Sequence, residues 1–101
     1  MSTIKVVRYQ TKPDHADENA ELVRDVFAEL AEEDPGGLRY ATLRLDDGVT
    51  FVHIAMIEGD ENPLASSEAF KRFQAEIAQR CDEGPIAADA SVVGAYSFPI
   101  G

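Results

Sequence analysis

Cysteine is nearly missing from this chain and tryptophan is missing altogether: 101 residues contain one Cys and no Trp. The single thiol, Cys81, has no partner for an internal disulfide and no second thiol with which to build a metal site. Bases are also scarce. Nine Lys and Arg stand against nineteen Asp and Glu, a formal net charge of −10. Phosphate backbones and anionic membrane surfaces are held by Lys and Arg, so neither a nucleic-acid nor a membrane partner is expected. No apolar run approaches the roughly 18 residues of a membrane span. Residues 1–12 alternate instead of joining a basic stretch to an apolar one, so no signal peptide is expected. There is no Gly-x-Gly-x-x-Gly and no phosphate loop, and no His/Cys/carboxylate cluster has ligand spacing. The expectation is therefore no cofactor and no metal. A lone thiol fits a reducing, cytoplasmic setting.

What is present is ordinary globular composition, 45% hydrophobic and 28% charged, over a length that makes one domain, 1–101. Thr3 to Thr11 is β-branched, aromatic and short, the composition of a strand. Pro13 suits the first turn of a helix, and Leu22, Val23, Val26, Phe27 and Leu30 form one apolar stripe behind it. Nine of the nineteen acids lie between Asp14 and Asp34, which reads as a solvated outer face. Pro35-Gly36-Gly37 ends the helix. Leu38–Leu45 and Val49–Ile57 are strands around Asp46-Asp47-Gly48, a hairpin signal. Ser66 or Ser67 caps a second helix whose stripe is Phe70, Phe73, Ile77 and Cys81, ended by Gly84-Pro85. That position makes Cys81 a buried, inert thiol. Ala90–Phe98 is the last strand. The order is βαββαβ, an α+β ferredoxin-like fold with a four-stranded antiparallel sheet and two helices on one face.

If Asp47-Gly48 form the hairpin loop, Thr42 lies opposite His53, Arg44 opposite Phe51 and Tyr40 opposite Ala55. Side chains alternate between faces. One face then carries Ala41, Leu43, Leu45, Val52, Ile54 and Met56. Being wholly apolar, it is expected under the helices. The other carries Leu38, Tyr40, Thr42, Arg44, Phe51, His53, Ala55 and Ile57, joined by Ile4, Val6 and Arg8 from the first strand and Val92, Tyr96 and Phe98 from the last. That face is too apolar to stay uncovered. A second copy of the sheet is the expected cover, with a chamber between the two sheets.

The opening strand running into Lys12-Pro13, the Gly37-Leu38 start of the second strand, the Phe51-centred third strand and the segment Leu64-Ala65-Ser66-Ser67-Glu68-Ala69-Phe70-Lys71-Arg72-Phe73 together resemble the antibiotic biosynthesis monooxygenase-like domain of the dimeric α+β-barrel superfamily. The resemblance covers nearly the whole chain. It implies a homodimer with sheets packed face to face. It also implies activities that range from cofactor-independent oxygenation of quinols or aromatic polyketides to haem degradation and isomerisation. Two family features are missing. Pro63 stands where many members have a His, and Ile57-Glu58 stand where many have a Trp. Haem degradation in the family relies on an Asn, a His and a Trp, so that branch is disfavoured.

His53 is the candidate catalytic base: a cofactor-free oxygenase must ionise a phenolic substrate, and an imidazole titrates near neutrality. A buried imidazole satisfied by Thr42 or by backbone is the alternative. Arg8 and Arg44 are candidates to hold a phenolate or carboxylate, or to form ion pairs between subunits. Tyr40 and Tyr96 could stack on or hydrogen-bond an aromatic ligand, or simply pack. Thr42 and Phe51 complete the expected binding set. The sequence thus points to an oxygenase acting on a small aromatic or quinol-type molecule, and leaves open a non-catalytic ligand-binding dimer or a purely structural one.

Overall fold

The structure, a computed structural model, describes residues 2–98. Four strands, β1 (Ser2–Thr11), β2 (Leu38–Arg44), β3 (Thr50–Glu58) and β4 (Cys81–Ala90), form one antiparallel sheet in the order β2-β3-β1-β4. Helix α1 (Ala16–Glu33) follows β1, and α2 (Glu68–Gln74) and the single turn α3 (Ile77–Arg80) precede β4. This is the expected ferredoxin-like architecture. Among the described residues no helix is long and apolar enough to cross a membrane.

Asp34 ends α1 with a left-handed backbone, φ 47°, its N–H donating to the Leu30 carbonyl. At the other helix Ser67, not Ser66, is the cap: its hydroxyl accepts from the Phe70 N–H at 3.0 Å. The Glu29 carboxylate reaches across from α1 to accept from the Glu68 and Ala69 N–H groups. Those bonds, Ala69 first, hold its carboxyl below the usual carboxylate range. Negative charge is favourable at that helix end.

The hairpin register is as expected, with Thr42 opposite His53 and Arg44 opposite Phe51. The loop is longer than the two residues expected. Strand pairing closes at Leu45 and Thr50, whose N–H···O bond is 2.9 Å. Asp47 fastens the loop by accepting from the Val49 and Thr50 N–H groups at 2.9 and 2.8 Å. Gly48, at φ 80°, supplies the left-handed step that a side chain would resist.

Three expectations fail. The second helix does not continue to Gly84: it stops at Gln74, Ala75 is extended, and Glu76 is left-handed with φ 62°. The stripe through Phe70, Phe73 and Ile77 is real, but it crosses this break. The last strand is Cys81–Ala90 and not Ala90–Phe98. Cys81 opens it, paired with Thr11, and Gly84-Pro85 fall where the β1–β4 register shifts. A Pro is tolerated in an edge strand at such a bulge. Residues 91–98 lie outside the sheet and are exposed.

The third failure concerns the faces, which are exchanged. The buried core joins Ala16, Ala20 and Val23 of α1 and Ala69 and Phe73 of α2 to Tyr9 and Phe51 of the sheet. Tyr40, Phe51 and His53 therefore lie beneath the helices. The helix-free face carries Ala41, Leu43, Leu45, Val52, Ile54 and Arg8, with Leu43 half exposed. The handedness of the crossovers decides which face the helices take. The polar groups of the inner face are no obstacle, because they satisfy one another.

Candidate functional site

The inner face holds a continuous chain of buried polar side chains. Tyr9 stacks on Phe51 across the β1–β3 pair, ring centroids 5.5 Å apart. Its hydroxyl meets His53 Nε2 at 2.7 Å. The Tyr40 hydroxyl meets His53 Nδ1 at 2.6 Å and Thr42 Oγ1 meets the same atom at 3.0 Å. On the far side of Tyr9, Asn19 Nδ2 of α1 donates to the Tyr9 hydroxyl at 2.8 Å. Arg80 Nε in turn donates to Asn19 Oδ1 at 3.2 Å. The remaining guanidinium nitrogens donate to the carbonyls of Ala75 and Phe73, groups left without helical partners where α2 breaks off. Arg80 thus explains the break: it caps α2 from beneath and lies over the Phe73 ring at 5.5 Å.

This chain borders a cavity of about 410 Å³ between sheet and helices. Val7, Ala55, Ile57, Leu64, Phe70, Phe73 and Ile77 form its apolar walls, and Tyr9, Tyr40 and His53 its polar side. Lys5, Asn62 and Gln74 also line it, with Lys5 ion-paired to Asp89. An apolar pocket with a few convergent polar groups is the usual form of a small-molecule site.

Burial sets the electrostatics. It lowers the His53 pKa from 6.5 to about 4, so the imidazole is neutral at pH 7. It pushes the Tyr40 phenol up to about 12, against the hydrogen bond from Thr42. Burial likewise raises the Tyr9 phenol well above its ordinary value, against the hydrogen bond from Asn19.

The structure gathers His53, Tyr40 and Thr42, with Phe51 supporting them from beside Tyr9. The chamber expected between two sheets is instead a cavity within one subunit. Arg8 lies on the opposite face, across from Val52. Arg44 is on the inner face, away from this cavity. It donates to the Gly48 carbonyl and to Asp17, ties the hairpin to α1, and borders a second hollow near Phe27. Tyr96 is exposed, beyond the end of β4. Sequence reasoning missed Tyr9, Asn19 and Arg80. Tyr9 shares the Lys5-Val7 alternation and sits diagonal to His53. No turn fixes the β1–β3 register in advance, so only the structure reveals this. Among the described residues no group of three or more His, Cys, Asp or Glu is placed to hold a metal ion.

No protein-family profile and no curated protein matches the chain. Solved structures do match. Rv0793 from Mycobacterium tuberculosis superposes with a TM-score of 0.74 at 16% identity, over 96% of this chain and 100% of its own. An antibiotic biosynthesis monooxygenase superposes with a TM-score of 0.66 at 20% identity, over 93% of this chain and 100% of its own. The chain shares the fold of the antibiotic biosynthesis monooxygenases. A dimeric ferredoxin-like protein of unknown function from Jannaschia sp. CCS1 has the same architecture, with a TM-score of 0.65 at 14% identity over 91% of this chain and 100% of that one. At such identities the likeness concerns architecture, and chemistry has to be argued from the site.

Proposed function

We propose that the chain is a homodimeric, cofactor-independent monooxygenase of a small aromatic or quinol-type substrate, which binds between sheet and helices. The observation that carries this reading is the Tyr9–His53–Tyr40 chain opening on an otherwise apolar cavity. In such a reaction the substrate itself is the reductant. The phenol gives its proton to solvent and binds as phenolate. The phenolate passes an electron to O2, the two radicals join at a ring carbon, and the peroxide, reprotonated from solvent, loses water to leave a carbonyl. In sum a phenol and O2 become a quinone and water.

His53 contributes by placing Tyr40, not by taking the phenol's proton directly. Both ring nitrogens are engaged. Moving a proton from a phenol of pKa roughly 10 to an imidazole at about 4 costs about 8 kcal/mol. The Tyr40 hydroxyl, next in the chain, is positioned to hydrogen-bond the substrate oxygen where charge develops. The apolar walls around that oxygen strengthen such a bond.

The same low proton affinity favours a second reading, a carrier that binds the molecule without turning it over. Oxygen uptake with a panel of quinols separates the two. Turnover that falls at least tenfold in Tyr40→Phe supports the oxygenase. Saturable binding with no uptake supports the carrier, and equal uptake in Tyr40→Phe rejects the site.

A further inference from the structure

We propose that Arg80 sets the direction of the whole buried hydrogen-bond chain, so that the cavity is offered a proton and takes its ligand as an ionised phenol or enol, or at a carbonyl oxygen. This rests on the cavity being the ligand site, and not on any oxygen chemistry. Arg80 is a positioning residue: Asn19, Tyr9 and His53 stand between it and Tyr40.

A guanidinium has donors only. Arg80 Nε at 3.2 Å therefore forces the Asn19 oxygen to face it, which leaves the Asn19 NH2 to donate to Tyr9. Having accepted that bond, the Tyr9 hydroxyl has its own proton left for His53 Nε2 at 2.7 Å. A neutral imidazole whose Nε2 accepts must carry its proton on Nδ1. Nδ1–H then donates into the pair Tyr40 and Thr42. Two hydroxyl protons remain there and His53 offers no further lone pair. At least one of them has no acceptor inside the trio. Tyr40 borders the cavity and Thr42 does not. Thr42 faces the second hollow near Phe27 and donates to the Tyr40 oxygen, so the donor left for the cavity is the Tyr40 hydroxyl, and a ligand oxygen that accepts completes the chain. The buried Arg80, whose acceptors are the neutral oxygens of Asn19, Ala75 and Phe73, adds positive potential behind it. A ligand that must donate finds on this side of the cavity no carboxylate and no free imidazole nitrogen, only phenol oxygens that already accept.

The tautomer is directly observable by two-bond nitrogen–proton correlation in uniformly 15N-labelled protein at pH 7, where the two histidines, His15 and His53, give separate patterns. The expected result is His53 protonated on Nδ1 alone. An Nε2–H pattern overturns the proposal. Arg80→Met removes the donor but also uncaps α2, so Asn19→Asp carries the mutational test. A carboxylate can only accept. It remains paired with Arg80 and forces Tyr9 to donate to it, which reverses the chain and moves the His53 proton to Nε2. An unchanged tautomer in Asn19→Asp overturns the proposal. The ligand arm uses 4-nitrophenol, whose anion absorbs in the visible. The wild type is expected to bind nitrophenolate about tenfold more tightly than nitrophenol, the worth of one charge-assisted hydrogen bond, and Tyr40→Phe is expected to lose that preference. Tighter binding of the neutral phenol, or no binding of either form, overturns it. Oxygen uptake enters neither measurement, so a failure of the oxygenase reading leaves these outcomes distinct.

Discussion

Acidification should destabilise this protein through His53 before its carboxylates respond. His53 is 5% exposed, and burial lowers its pKa from 6.5 to about 4. Below pH 6.5 the unfolded chain takes up a proton that the folded one refuses. The unfolded state therefore binds more protons throughout this window, and stability rises with pH across it. The contribution is fully present above 6.5 and is lost as pH falls toward about 4. In total it is worth about 3 kcal/mol, with about 2 kcal/mol lost between pH 7 and pH 5. Glu29 and Asp47 act lower. Their carboxyls are held below 4.5 and 3.8, Glu29 chiefly by the Ala69 N–H and Asp47 chiefly by the Thr50 hydroxyl. What they contribute is lost only as pH falls through that acidic range. Urea unfolding at pH 7, 6 and 5, at one protein concentration, isolates the imidazole. His53→Gln keeps an acceptor for Tyr9 and a donor for Tyr40 but does not titrate, so its profile should be nearly flat down to pH 5. A wild-type midpoint that does not move between pH 7 and pH 5, or a His53→Gln midpoint that falls as far as the wild type's, refutes the reasoning.

Two further outcomes are expected. Tyr9→Phe leaves the Asn19 NH2 and His53 Nε2 without their shared partner in the core and should cost about 1–3 kcal/mol of stability in urea unfolding; a change within error would mean that the chain is held together elsewhere. Leu43→Lys puts a charge on the helix-free face at a side chain 50% exposed and should convert a dimer to a folded monomer by light scattering at micromolar concentration, with unchanged circular dichroism, whereas a monomeric wild type would remove the proposed dimer.

The hairpin register was legible because a turn closes it: Asp47 and Gly48 fix which residues face one another, and the pairing survives even though the loop proves longer. The second helix was not legible to its end. Phe70, Phe73 and Ile77 keep helical spacing across the break, and the left-handed residue that ends the run is Glu76, where a Gly would have announced it. The carbonyls freed there are answered by Arg80 from beneath, a contact between residues that read in sequence as neighbours on one helix. Gly84-Pro85 misled for a related reason. The pair stops a helix, and it also fits the bulge of an edge strand.

The exchange of faces has a different cause, and it bears on both the site and the proposed dimer. The more apolar set of strand residues was expected inside, with the set holding His53, Thr42 and Tyr40 facing a partner. A twofold interface sets each patch against an identical patch. Leu43, Val52 and Ile54 tolerate that, because apolar surface is complementary to itself. A network that needs unlike partners in a fixed order does not: Arg80, Asn19, Tyr9 and His53 must each meet a different group. Such a chain is most readily closed within one subunit, where α1, β1, β3 and α3 bring unlike side chains together. Polarity on one strand face thus marks the side where the fold can supply distinct partners. The more apolar side, which carries Leu43, Val52 and Ile54 beside Arg8, is the one that the proposed dimer would cover with a copy of itself.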